Sequence, residues 1–145
     1  MMEVDFYGRL PAGQSRQTMV RAVCLTLKKC RRKPQGSLSV AFVSDARMRA
    51  LNRARRGCNR PTDVLSFTPA RMPGPARPGR YWGDIVIAPA CVKREAVRSA
   101  VPLRQQFLRI LVHGALHLLG HDHALKAQAQ RMLALQERIL KELKI

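Results

Sequence analysis

An eleven-residue stretch, HGALHLLGHDH, constrains this chain more tightly than any other part of it. It holds all four of the chain's histidines, His113, His117, His121 and His123, with Gly120 among them. Two histidines four residues apart lie on one face of a helix and can reach the same ion. A glycine one turn later lets the chain leave the helix in a left-handed conformation and turn back sharply. The returning segment then brings His121, Asp122 or His123 beneath the first two. A fold for this chain must therefore end an apolar helix against its own continuation.

Three neutral imidazoles suit a single zinc ion and leave a fourth position for water, which makes such a site catalytic in type. His123 is favoured as the third ligand by its spacing from Gly120. His121 and Asp122 are chemically able, and Asp122 could instead orient a ligand from outside the ligand set. The spacing H-x-x-x-H-x-x-G-x-x-H is that of zinc proteases, whose first histidine is followed by a glutamate that acts as general base. Here that residue is Gly114. Peptide hydrolysis at such a site relies on the carboxylate. A bound metal would still lower the pKa of water and polarise an oxyanion without it. A packed core role fits one histidine on an apolar helix better than four at ligand spacing.

Charge narrows the choice of oxyanion. The chain has 27 basic and 9 acidic residues, a net charge of +18. Such a surface draws polyanions, so RNA, DNA and an acidic membrane are all candidate partners. Phosphate esters supply the oxyanion that a metal could polarise. Arg49, Arg53 and Arg56 form one helical stripe, Arg60 follows in a loop, and Arg71, Arg77 and Arg80 stud a later one. These are candidate phosphate contacts with little sequence preference. Tyr81 and Trp82 are the candidates for base stacking, although packing at the mouth of a strand is the simpler role for both.

Four cysteines without a C-x-x-C pair give neither a disulfide framework nor a sulfur-rich zinc site, and reduced thiols in a cytoplasmic protein are expected. The opening MMEVDFYGRL lacks the apolar core of a secretory signal. FLRILVHGALHLLG, the longest apolar run, is too short and too polar to span a bilayer.

β-rich runs between turn residues read as strands at MEVDFY, SLSVAFV, DVLSF and GDIVIAP. Helices are expected from about Gln14 to Lys29, through DARMRALNRA after an N-cap at Ser44, and at Ala90–Ser99, Pro102–Leu119 and Ala124–Leu143. The last helix carries an apolar stripe through Met132, Leu135, Ile139 and Leu143, read as a core face rather than a membrane-surface one. Strands mixed with helices, with helices dominating the end, predict one α+β domain over residues 1–145.

Three segments together resemble the YbeY-type endoribonucleases. HGALHLLGHDH is similar to their H-G-x-L-H-L-x-G-[aromatic]-D-H signature, LNRARRGCNRPTDVLSF to their L-N-x-x-x-R-G-x-x-x-P-T-D-V-L-S-F block, and GDIVIAPACVKREA to a G-D-I/L stretch and its following helix. The order and spacing agree over most of residues 51–123. The resemblance implies a single α+β domain with a small mixed sheet of about four strands packed with helices, and a metal site at the end of a central helix. It implies one Zn2+ held by His113, His117 and His123, with Arg56 as a functional arginine that clamps phosphate. Asp63 and Asp84 fall on family positions and are read as structural. The implied activity is metal-dependent cleavage of ribosomal RNA, in 3′-end processing of small-subunit RNA and ribosome quality control, with either water or an RNA 2′-hydroxyl as nucleophile. An assembly GTPase and small-subunit ribosomal proteins are partners by resemblance only, and no membrane is implied. At His121 the chain departs from the family's aromatic residue. Two other readings stand beside this one: a noncatalytic ribosome-associated RNA-binding protein with a structural metal, and a metalloprotease, against which Gly114 speaks.

Overall fold

The computed structural model describes residues 2–69, 80–121 and 125–144. Among the described residues four strands and five helices follow in the order β1 (Met2–Tyr7), α1 (Arg16–Lys29), β2 (Gly36–Phe42), α2 (Asp45–Arg56), β3 (Val64–Phe67), β4 (Tyr81–Ile87), α3 (Pro89–Arg98), α4 (Leu103–Leu118) and α5 (Lys126–Leu143). Every expected element is present, with ends shifted by a residue or two. The Ser44 cap forms as read, its side chain accepting from the Arg47 N–H at 3.1 Å.

The sheet runs in the order β1-β2-β4-β3. β1, β2 and β4 are parallel, and β3 joins the edge antiparallel to β4. This is the α+β domain with a mixed four-stranded sheet that the sequence predicts. Side-chain alternation sorts the two faces. Leu38, Val40 and Phe42 of β2 and Ile85 and Ile87 of β4 enter the main core with α1, α4 and α5. Val86 and Leu65 face the other way, against Met48 and partly buried Leu51 of α2.

α4 is the central helix. Phe107, Leu108, Ile110, Leu111, Val112, Ala115, Leu116 and Leu118 are all buried, so hydrophobic burial holds it on nearly every side. Arg104 is exposed in its first turn, and a partly open stripe follows through Arg109 to the half-buried His113 and His117 near its C-terminal end. α5 packs on α4 through Met132, Ile139, Leu140 and Leu143, with Leu135 partly buried, so its stripe is a core face. Among the described residues no helix is long and apolar enough to cross a membrane.

Candidate metal and phosphate site

α4 carries the first two histidines, and Gly114 shows how closely it must sit on the sheet. A Cβ there would stand 2.9 Å from Ile85 Cγ2, 3.2 Å from Val64 Cγ2 and 3.3 Å from Ser66 Oγ. The Ser66 hydroxyl donates to the Gly114 carbonyl at 2.9 Å, fastening β3 to the helix between the two histidines. A glutamate at 114 would be driven into β3 and β4. The position of the protease base is here a packing contact.

His113 and His117 project together beside that contact, into a cleft that Val64 and Ser66 also line. Their rings meet edge to face with centroids 4.7 Å apart. Their Nε2 atoms converge to 3.2 Å. Two nitrogens bound about 2.0–2.1 Å from one tetrahedral zinc lie about 3.3 Å apart, so this pair fits such an ion. Among the described residues no group of three or more histidine, cysteine or acidic side chains is gathered for a metal. His123, the expected third ligand, and Asp122 lie outside the described residues.

Gly120 takes the expected left-handed conformation, φ 93°, and ends the helix. The His121 backbone N–H donates back to the Leu116 carbonyl at 3.1 Å. His121 lines the same cleft, but its Nε2 lies 3.6 Å from the Cys30 thiol at the end of α1. The ring is thus engaged with α1, a contact that joins residues 91 positions apart and left no trace in the local sequence. Burial pushes the Cys30 thiol above its ordinary pKa, keeping it in the neutral form.

Across the cleft stands the end of α2. Gly57 adopts φ 70° and terminates this helix, a left-handed cap that suits glycine. The loop after it is drawn back by Asn52 Nδ2, which donates to the Arg60 carbonyl at 2.9 Å, and by Arg49 Nε, which donates to Asn59 at 3.4 Å. Arg55 and Arg56 both line the cleft with His113 and His117. Its volume is about 650 Å³, and Thr62, Asp63, Ser66 and Thr68 complete much of the polar wall. Arg55 also lies over the Phe67 ring at 4.6 Å. The family resemblance points to Arg56 alone, whereas Arg55 lines the same cleft as well. Arginine abundance hid the second one.

Asp63 and Asp84 are held in the scaffold. The Asp63 carbonyl accepts from the Ala88 N–H at 2.9 Å. Asp84 accepts from the hydroxyls of Ser39 and Tyr81, joining β2 to β4. Trp82 is buried, its indole N–H donating to Gln35 at 2.8 Å, so it packs rather than offering a stacking face. Arg49 and Arg53 are exposed on α2, as is Arg60 in its loop. Arg71 and Arg77 lie outside the described residues, and Arg80 stacks on Trp82 at 4.2 Å.

One buried group was not singled out from the sequence. Gln136 of α5 is only 4% exposed, and its Oε1 sits 2.9 Å from His113 Nδ1. The available signal was a polar residue interrupting the core stripe between Met132 and Ile139.

Residues 8–144 match the profile of a protein family described as Endoribonuclease YbeY. The chain is 47% identical over 106 residues to the Endoribonuclease YbeY of Halorhodospira halophila, covering 72% of this chain and 69% of that protein. It is 45% identical over 112 residues to the protein of the same description from Chelativorans sp., covering 77% and 68%. A solution structure of the Thermotoga maritima protein TM1509 shares the fold, with TM-score 0.65 at 23% identity over 97% of this chain and 88% of that one.

Proposed function

The chain belongs to the YbeY endoribonuclease family, and on that premise we propose that it is a metal-dependent endoribonuclease that processes ribosomal RNA. The observation that carries the reading is one cleft lined by two imidazoles whose Nε2 atoms lie 3.2 Å apart and by Arg55 and Arg56. Residues 1–145 act in this reading as one catalytic domain, working in the cytoplasm on small-subunit RNA near its 3′ end.

His113 and His117 hold one zinc ion, with His123 as the third ligand. The ion supplies Lewis acidity and a more acidic bound water at neutral pH. The protein's own groups do the rest. Arg56, carried at the end of α2, donates paired hydrogen bonds to a phosphate and offsets charge that grows on its oxygens during cleavage. Arg55, braced over Phe67, adds a second cation on the same wall. Thr62, Ser66 and Thr68 offer hydroxyls to ribose or phosphate oxygens. Arg49 and Arg53 on the exposed face of α2 extend the cationic path for the RNA backbone away from the cleft. Assembly factors and small-subunit proteins are the expected partners.

The test is cleavage of structured ribosomal RNA by a metal-quantified preparation, with an unfolded protein as control substrate. Chelation, His117→Ala and Arg56→Ala should each abolish or sharply reduce RNA cleavage and leave the protein control uncut. Full activity in a rigorously metal-free preparation would overturn the metal reading. RNA retention without turnover under any condition would make the chain a noncatalytic binder.

A further inference from the structure

A histidine can present Nε2 to a cation only while its other ring nitrogen carries the proton, so whatever touches Nδ1 decides whether the ring is a ligand. At His113 that partner is Gln136 Oε1, 2.9 Å away. An amide can turn over and offer its NH2 instead, which would demand the opposite tautomer. Here its orientation is set by the next residue along α5. Gln136 Nε2 donates to Glu137 Oε2 at 3.4 Å. A carboxylate only accepts, so the amide nitrogen belongs on that side and the amide oxygen faces the histidine. Glu137 is itself fixed by Arg109 of α4, whose Nε and Nη2 donate to its two oxygens at 3.2 and 2.9 Å. Arg109 also donates to Gln106 Oε1 at 3.4 Å.

We propose that Gln136, oriented by the Glu137–Arg109 pair, is a positioning residue that fixes His113 as the Nδ1–H tautomer and so aims Nε2 at the metal. The proposal rests on the reading that His113 and His117 bind a metal. With Nδ1 protonated, His113 Nε2 is an acceptor, and the 3.2 Å contact to His117 Nε2 is spanned by the His117 proton. For a cation to enter between the two rings, His117 exchanges its Nε2 proton with water for one on Nδ1, so that both Nε2 lone pairs face the ion. The relay also explains why a polar side chain lies on the core stripe of α5: unpartnered, an amide 4% exposed would cost its hydrogen bonds to water. A neutral amide orients the ring without adding a buried charge beside the site.

The experiment uses the full chain labelled with 15N-histidine. The metal-free protein should show His113 with a protonated Nδ1 and a bare Nε2 in long-range 1H–15N spectra. Competition against a chromogenic chelator, with Zn2+ alone as the probe, gives the affinity. Gln136→Met keeps the volume and removes the acceptor; His113 should then populate the other tautomer, and zinc affinity should fall by about 10–100-fold. Gln136→Glu restores an acceptor and should return both readouts close to wild type. An unchanged tautomer and affinity in Gln136→Met would overturn the proposal, as would equal loss in Gln136→Glu. Should Gln136→Met fail to fold, Glu137→Ala at a half-exposed position decides: a mixed His113 tautomer supports the relay, and an unchanged one overturns it. A wild-type chain with the expected tautomer and no zinc binding would support the relay and sink the metal reading alone.

Discussion

Replacing Gly114 by alanine isolates the contact that seats α4 on the sheet. In an ordinary helix interior the change would stabilise by about 1 kcal/mol, because alanine loses less backbone entropy. Here the added Cβ meets Ile85 Cγ2 at 2.9 Å, Val64 Cγ2 at 3.2 Å and Ser66 Oγ at 3.3 Å. Two of these neighbours are β-branched and stiff at χ1, so they cannot swing aside. The third is tied to Gly114 itself through the Ser66 hydrogen bond. Overpacking of this kind costs about 1–3 kcal/mol, and confinement on three sides argues for the upper half. The net expectation is a loss of about 1–2 kcal/mol, or about 3–8 °C in Tm for a domain of this size. Urea unfolding of the metal-free chain, followed by circular dichroism, measures it. Val64→Ala in the same background should recover part of the loss, so the double change costs less than the sum. A Gly114→Ala chain as stable as wild type, or more so, would refute the packing argument, since helix propensity alone would then account for the result. Because residue 114 lies between His113 and His117, a lifted helix should also weaken zinc binding.

Ser66→Ala should cost about 0.5–1.5 kcal/mol by removing the hydroxyl's hydrogen bond to the Gly114 carbonyl; unfolding in urea reads it, and no change would mean the bond does not hold β3 to α4. Arg109 holds the Glu137 carboxyl below its ordinary range. Its contribution to stability is therefore present above the ordinary carboxylate pKa and is lost as pH falls through the lowered folded value. Because Glu137 is half-exposed, the effect is below about 1 kcal/mol. Glu137→Gln should flatten the acid limb of the stability profile and leave little difference at the lowest pH, and an identical slope would contradict it. Burial raises the thiol pKa of Cys24 and Cys30, so iodoacetamide at pH 8 should modify both more slowly than free cysteine and faster as pH rises; free-cysteine rates would refute this. Arg49→Ala and Arg53→Ala should each lower the salt slope of single-stranded RNA binding by about 0.7, and an unchanged slope would remove α2 from the binding path.

Much of the architecture was legible because it rests on local rules. Short β-rich runs between turn residues marked the four strands, and the Ser44 cap located the start of α2. The histidine pair was legible for the same reason, since helical geometry alone puts residues four apart on one face. Gly120 likewise announced its left-handed turn. The proximity of Arg55 and Arg56 to those histidines was not local: it depends on α2 ending above the cleft while β3 runs beneath it. Arg55 gave no signal of its own in a chain with 27 basic residues.

By itself, then, the sequence determined the elements, the shared face of His113 and His117 and the absence of a carboxylate after the first histidine. Each follows from backbone periodicity or residue identity within a few positions. The tertiary structure alone decided that Gly114 is the seat of α4 against Ile85 and Val64, that His121 turns to Cys30, and that Gln136 and Glu137 reach His113 and Arg109 across a helix pair. Those contacts join residues 23 to 91 positions apart. Their partners are chosen by how helices and sheet pack, which no local rule of spacing can specify.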